Sequence, residues 1–417
     1  MSATIAVEEL RVGMFIQLEG GWLSHPFPLS SFRLSTADQI ATIRGLGLRS
    51  LRWVPEKSDL PQAQIVVDTA PPPAAPTPAD LAAEAARQQL LIQREAAQRC
   101  ERQHAEAAKA WREASDAVGA RPRDAGRTTE QLARAILDKM LATDDIGIRL
   151  VTGGVDRAAE HALNTGVIAL LIGRTLGLVE QEMLDLAVGA LMHDVGKTEI
   201  AERFHHAEDG FDDSELSAYR DHVARGVSLG LKMGLSAGAL KVVAQHHEHA
   251  DGSGFPLKLN GERITMAARV VALINRYDNL CNPQARMPAL TPHEAVSVLF
   301  TQGRQRFDAA VLNAFIRMMG VYPAGSLVQL TDDRFAMVVG VNSSRPLKPR
   351  VLVHEPAVPR SEALVLDLER ATDLGIRRSL ALAKVPTAVI EYLDPRPRVS
   401  YYFEPLVHHD SEAMAAG

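Results

Sequence analysis

Eight of the 14 histidines in this chain fall between His161 and His249. Two adjacent polar pairs stand out among them: His193-Asp194, in LMHDVGK, and His246-His247, in AQHHEHADGSGFP. His161 and His222 stand singly on stretches with helical spacing. Imidazole nitrogens together with carboxylate oxygens suit iron, manganese or zinc. Two such ions, held a few ångströms apart, convert water to hydroxide near neutral pH. They also neutralise charge on a phosphodiester oxygen during in-line displacement. A lone histidine is ordinarily structural, and His205, His206 and His249 are read as surface residues. Adjacent polar pairs inside apolar helices differ, because burying each group unpartnered costs about 1–3 kcal/mol. A metal or a polar partner removes that cost.

The elements that must position these residues are helical. From about Thr128 to Met319, segments such as LNTGVIALLIGRTLGL and EMLDLAVGALMHDVGK carry apolar residues at three- and four-residue steps. From Val321 onward the texture changes. SLVQL, FAMVVGV, RVLVHE, ALVLDL and VSYYF are short strand-like runs punctuated by Gly, Pro and Asp. Residues 1–69 read as a small α/β module, with strands at Ile5–Val7, Met14–Leu18 and Leu48–Val54. A helix runs from an N-cap at Ser35 to Leu46, and Gly47 ends it. Residues 70–79, APPPAAPTPA, form a proline-rich spacer. Residues 80–117 have high helix propensity but few large apolar residues, so an exposed helical connector and a dimerising coiled coil both remain open. GARPRDAGR, at 119–127, reads as a break. The expected fold is mainly α: a helical core over 128–320, a spacer and connector over 70–127, and a small β-rich module over 321–417.

Composition narrows the function classes. Net charge is -6 and the sequence pI is near 6.2, which argues against a surface built to grip a nucleic-acid duplex. With two cysteines, a disulfide framework is not expected and a cysteine-rich zinc site is excluded. The N-terminal MSATIAVEELRVGMF has no secretory pattern, and no apolar run is long enough for a membrane span. The expected address is the cytoplasm.

HDVGK, then a lone histidine, then HHE and DGSGFP, resembles the HD-GYP branch of the HD phosphohydrolase superfamily. The match runs over about residues 155–320. It takes in His161, His193-Asp194, Lys197, Glu215, His222, Gly226, His246-His247-Glu248, Asp251-Gly252, Gly254, Pro256, Arg269, RYDNL and GRQRFDAAV. GWLSHPF, around Trp22, is similar to an N-terminal module that often precedes such domains. YPAGSLVQL and YYF are similar to the tail that accompanies it. The resemblance implies an HD-type helical bundle around two divalent metal ions and hydrolysis of cyclic di-GMP to the linear dinucleotide or GMP. The implied ligands are His161, His193, Asp194, His222, His246 and His247, with Asp194 bridging. Lys197 would contact a phosphate oxygen. Asp251, Gly252, Gly254, Phe255 and Pro256 would shape the substrate pocket.

The chain also departs from that pattern. The last ligand position holds Asn275 instead of an aspartate, and Asp278, nearly one turn on, is the other candidate. Arg157 stands where three-metal members carry a glutamate, which argues for two metals. Phe255 replaces the tyrosine of the GYP motif. His206-Ala207-Glu208-Asp209 replaces Asn-Lys-Pro-Gly, and Arg-Pro-Tyr is not reproduced around Gln284–Arg286. A second reading follows from these changes: a poorly active member that senses the dinucleotide or docks other signalling proteins. A homodimer stays open, as does another nucleotide substrate.

Overall fold

The computed structural model describes residues 3–18, 27, 29–46, 48, 50–59, 77–143, 145–154, 156–205, 211–283, 288–342, 345–371 and 373–406. Most of GWLSHPF, the body of the proline-rich spacer, Gly47, His206–Asp209 and Gln284–Arg286 lie outside the described residues. The chain divides into two compact units, Met1–Gln89 and Leu90–Gly417.

Among its described residues, the first unit contains a four-stranded antiparallel sheet with an α-helix between its strands. Its elements are β1 (Ala3–Ala6), β2 (Phe15–Gln17), β3 (Ser31–Arg33), α1 (Ala37–Gly45) and β4 (Ser50–Trp53). The strand order is β1-β4-β2-β3. Ile5, Ile16, Leu34, Ile43 and Leu51 form its core. The cap of α1 is Thr36, one residue later than Ser35: its side chain accepts from Gln39 N, and Gln39 reaches back to the cap in a capping box.

Helix α2 (Pro78–Ala117) contains the division between the units. Its later half is not an exposed connector. Cys100, His104, Ala107, Ala108, Ala110 and Ala114 are buried, and Trp111 Nε1–H donates to Leu191 O at 2.7 Å. That face is built of small residues, so a search for large apolar side chains overlooks it. The break expected at 119–127 is a turn at 118–120 only. Pro122 opens α3 (Pro122–Leu141), at a position where its missing N–H costs nothing.

The helical core follows as α4 (Arg157–Thr175), α5 (Glu180–Met192), α6 (Asp213–Met233), α7 (Ala237–Gln245), α8 (Met266–Cys281), α9 (Pro292–Gln302) and α10 (Ala309–Met319). One strand interrupts it, contrary to the helical expectation: β5 (Ile146–Val151) belongs to the C-terminal sheet. That sheet contains β6 (Leu327–Leu330), β7 (Phe335–Asn342), β8 (Arg350–Val353), β9 (Val365–Asp367) and β10 (Ile376–Leu380). After α11 (Thr387–Leu393) the chain returns as β11 (Ser400–Pro405). The order is β10-β6-β7-β5-β11, with β8 on β7 and β9 on β8, all antiparallel. The five strand-like runs expected after Val321 are all strands.

Sheet and bundle are joined at α4. Every residue of α4 from Ala159 to Gly173 is buried. Tyr401 N–H donates to Asn164 Oδ1 at 2.8 Å, and Asn164 Nδ2 donates to Val399 O at 3.0 Å. Asn282, just past α8, exchanges two hydrogen bonds of 2.9 Å with the Val399 backbone.

Candidate metal centre

Helix ends place most of the site. His193 and His246 are the C-terminal caps of α5 and α7, and His222 lies within α6. Each donates Nδ1–H to the carbonyl three residues earlier: His193 to Ala190 at 2.7 Å, His246 to Val243 at 2.8 Å, His222 to Tyr219 at 2.5 Å. The tautomer is therefore fixed, and each Nε2 carries a lone pair directed away from its own helix.

Asp194 follows His193, and a 3-10 turn (Val195–Glu199) carries Lys197 behind it. This turn lies directly on α6. A Cβ on Gly196 would stand 1.9 Å from His222 O and 2.5 Å from Gly226 N. Only glycine permits that approach, which brings Asp194 up to His222.

The lone pairs converge. His222 Nε2 and His246 Nε2 are 3.3 Å apart, and each is 3.6 Å from Asp194 Oδ1. His161 Nε2 and His193 Nε2 are 3.1 Å apart, at 3.7 and 3.5 Å from Asp194 Oδ2. His161 donates its Nδ1–H to Asp278 Oδ2 at 2.6 Å, so its Nε2 is also an acceptor. These are two groups of acceptors with no proton between them, and Asp194 Oδ1 is buried without a hydrogen-bond partner among the described residues. Facing lone pairs repel, and a cation in each group reverses the sign. Asp194 with His222, His246 and His247 forms one such group; Asp194 with His161 and His193 forms the other. The donor set fits divalent transition metals.

Electrostatics keep the donors in their ligating forms. Burial, reinforced by neighbouring imidazoles, holds His193 and His247 well below the ordinary histidine range and brings His222 down to about 4. Burial alone would raise the pKa of Asp194. Lys197, whose Nζ lies 2.6 Å from Asp194 Oδ2, outweighs it together with the histidines, and the carboxylate stays ionised.

Asn275 and Asp278 differ in what surrounds them. Both oxygens of Asp278 are engaged away from the converging nitrogens: Oδ2 with His161 Nδ1, Oδ1 accepting from Asn164 Nδ2 at 2.7 Å and Asn282 Nδ2 at 2.9 Å. Asp278 orients His161 from behind. Asn275 is buried, accepts from Asn279 Nδ2 at 2.6 Å, and faces the same cavity as His246, His247 and Lys197.

That cavity encloses about 380 Å³. Of the loop residues expected to meet substrate, Phe255 lines it; Asp251, Gly252, Gly254 and Pro256 do not. Gly254 acts indirectly, because a Cβ there would stand 2.5 Å from His247 O. Phe255 stacks on His247 with ring centroids 4.4 Å apart. Glu248 ties the loop down, accepting from Leu257 N at 2.7 Å and Leu259 N at 2.8 Å.

Residues 146–311 match the family described as HD domain, and residues 2–127 match a domain of unknown function. Residues 146–311 of the chain therefore carry an HD domain. Its HDVGK, HHE and DGSGFP segments resemble those of the HD-GYP branch. An HD domain implies divalent metal binding, and the two acceptor groups are the candidate place for it among the described residues.

The chain is similar to a cyclic di-GMP phosphodiesterase of Pseudomonas aeruginosa: 28% identical over 385 residues, covering 89% of this chain and 90% of that protein. It is 31% identical over 153 residues to a cyclic di-GMP phosphodiesterase response regulator of Xanthomonas campestris, covering 36% of this chain and 40% of the relative. A solved HDGYP protein of Bdellovibrio bacteriovorus aligns with a TM-score of 0.42 and 11% identity, covering 76% of this chain and 98% of that chain.

Residues that the sequence reading passed over also border the cavity. Tyr219 puts its hydroxyl 3.3 Å from His247 Nε2, and its position three before His222 on α6 was the available signal. Arg276 and Arg306 line the cavity, from α8 and from the turn before α10, and neither side chain has an ion pair or hydrogen bond among the described residues. His249, read as a surface residue, lines it too.

Proposed function

We propose that this chain is a metal-dependent phosphodiesterase that hydrolyses cyclic di-GMP to the linear dinucleotide or GMP. One observation carries the reading: two acceptor groups share the Asp194 carboxylate beside a cavity rimmed by Lys197, Arg276 and Arg306. Similarity to the Pseudomonas phosphodiesterase along nearly its whole length supports the substrate. His161, His193, His222, His246, His247 and Asp194 are the proposed ligands of two divalent ions, iron or manganese, with zinc also compatible. Such ions supply Lewis acidity that eases water ionisation and offsets phosphodiester charge. Asp194 offers one oxygen to each group. Lys197 anchors Asp194 and presents its ammonium to substrate phosphate. The stacked His247–Phe255 pair forms an aromatic wall against which a base can lie. Asn275, a neutral donor at the seventh position, gives a specific reason to keep the sensor reading.

No described helix is long and apolar enough to cross a membrane. We place the protein in the cytoplasm, with self-association and docking of signalling proteins as proposals for sizing and pull-down experiments.

The full chain, loaded with iron or manganese, is incubated with cyclic di-GMP and the products separated by chromatography. Conversion to linear dinucleotide or GMP is expected. Saturable binding without conversion favours the sensor; absence of both binding and conversion overturns the proposal. Cyclic GMP-AMP in parallel tests base preference.

A further inference from the structure

Among the described residues, the cavity beside His246 and His247 is lined by Lys197, Arg276 and Arg306 and by no carboxylate. Lys197 is ion-paired with Asp194. The side chains of Arg276 and Arg306 have no ion pair and no hydrogen bond among the described residues. The carboxylates nearest to them in the chain are engaged elsewhere. Asp308 accepts from Ala310 N at 2.9 Å and Val311 N at 3.1 Å, and its other oxygen pairs with Arg269 at 2.8 Å. Glu248 accepts from Leu257 N and Leu259 N. Asp251 accepts from Ser253 N at 2.9 Å, and Arg306 acts on it only through space, more weakly than Ser253 does.

The two arginines come from separate elements and are held toward one space. Arg276 follows Asn275 on α8. Arg306 is fixed by its backbone: its N–H donates to Gly303 O at 3.0 Å, and its carbonyl accepts from Ala250 N at 2.7 Å. That second bond ties the turn before α10 to the loop that carries Phe255. The arginines also repel: partial burial, and then the charge of Arg306, lower the pKa of Arg276. An anion that meets both removes the repulsion, and the planar guanidinium fork suits phosphate oxygens.

We propose that Arg276 and Arg306 anchor the second phosphate of the substrate, the one that is not being cleaved. This inference rests on the cyclic dinucleotide reading above. A cyclic dinucleotide carries two phosphodiesters. With one of them at the proposed metal centre beside Lys197, the other lies along the cavity at the arginines. The pair therefore selects ligands with two phosphates over ligands with one.

Binding is measured by calorimetry on the full chain loaded with manganese, using probes whose phosphodiester linkages are phosphorothioates and resist hydrolysis. The probes are cyclic di-GMP, the linear guanosine dinucleotide with a 5′-phosphate, and the same dinucleotide without it. Wild type is expected to bind the first two about tenfold more tightly than the third, the scale of one charge-assisted hydrogen-bonded contact. Arg276→Ala and Arg306→Ala are expected to bring the three probes to similar affinity. Arg276→Lys, which keeps the charge but loses the fork, should keep part of the difference. Both arginines reach solvent, so the variants are expected to fold, with the melting temperature as the check. A preference that persists in both alanine variants overturns the anchor, as does a wild type that shows no preference or binds none of the probes. Failure of the catalytic reading looks different: unmodified cyclic di-GMP is not converted, while the preference and its loss in the variants remain.

Discussion

Asp278 Oδ2 sits 2.6 Å from Nδ1 of His161, on the face of the imidazole opposite the nitrogen that meets His193. A carboxylate there fixes the tautomer and aims Nε2. The charge acts through the ring.

Asp278→Ala is therefore expected to lower metal affinity about 10- to 100-fold, the usual cost of losing an outer partner. Asp278→Asn, which keeps an acceptor but loses the charge, should cost less. Chelator titration with metal analysis measures both. The effect of Asp278→Ala should largely disappear in a His161→Ala background, since the two act as a unit. Equal losses in both backgrounds would mean that Asp278 works independently of His161.

Asn275→Asp should tighten metal retention. It introduces a carboxylate into the cavity shared by His246 and His247, and Asn279 Nδ2 can still donate to it. The check is release of metal to a chelator at several concentrations. Unchanged release would place Asn275 outside the reach of the ions and leave it the Asn279 bond as its role.

How much of this site was legible follows from the type of evidence each residue leaves. The histidines and Asp194 were singled out because histidines cluster in one region and two adjacent polar pairs interrupt apolar stretches. The helical core and late strands were visible in periodicity. The role of Asp278 was not, because its one-turn spacing from Asn275 does not report which side chain of another helix it meets. β5 was missed because IGIRLV, inside a helical region, pairs with strands about 200 and about 250 residues later (Gly147 with Asn342, Ile148 with Phe403), and no local pattern reports a distant partner. The buried half of α2 was missed because alanines pack without a hydrophobic signature.

Metal-free protein should lose stability as pH falls from about 6.5 towards 4. His222 has its ordinary pKa of 6.5 when unfolded and about 4 when folded. Between those values the unfolded chain binds the extra proton, so stability rises with pH; above 6.5 the effect is absent and below 4 it saturates. Burial acts on His193 in the same direction. The contribution of His222 alone is about 3 kcal/mol. Denaturant midpoints across this window test it, and a flat profile contradicts the assignment of His222 as a buried neutral imidazole.

Gly196→Ala should be more damaging than a surface change. The new methyl meets His222 O and Gly226 N in the helix that carries a proposed ligand. Overpacking of this kind costs about 1–3 kcal/mol, and here the turn must withdraw Asp194 as it relaxes. Metal content should fall together with the melting temperature. Gly45→Ala, where nothing lies within 4 Å, is the matched control.

The pairing of β5 with β11 has a consequence for synthesis. Ile146–Val151 emerges from the ribosome long before its partner Ser400–Pro405, and Val399 beside that partner holds both Asn164 and Asn282, which in turn hold Asp278. Loop closure over such a separation is slow relative to local helix formation. The bundle can form while translation continues, but the brace behind His161 is completed only after the final strand is released. A nascent chain stalled after α10 would carry all the proposed metal ligands and still lack the support that aims one of them.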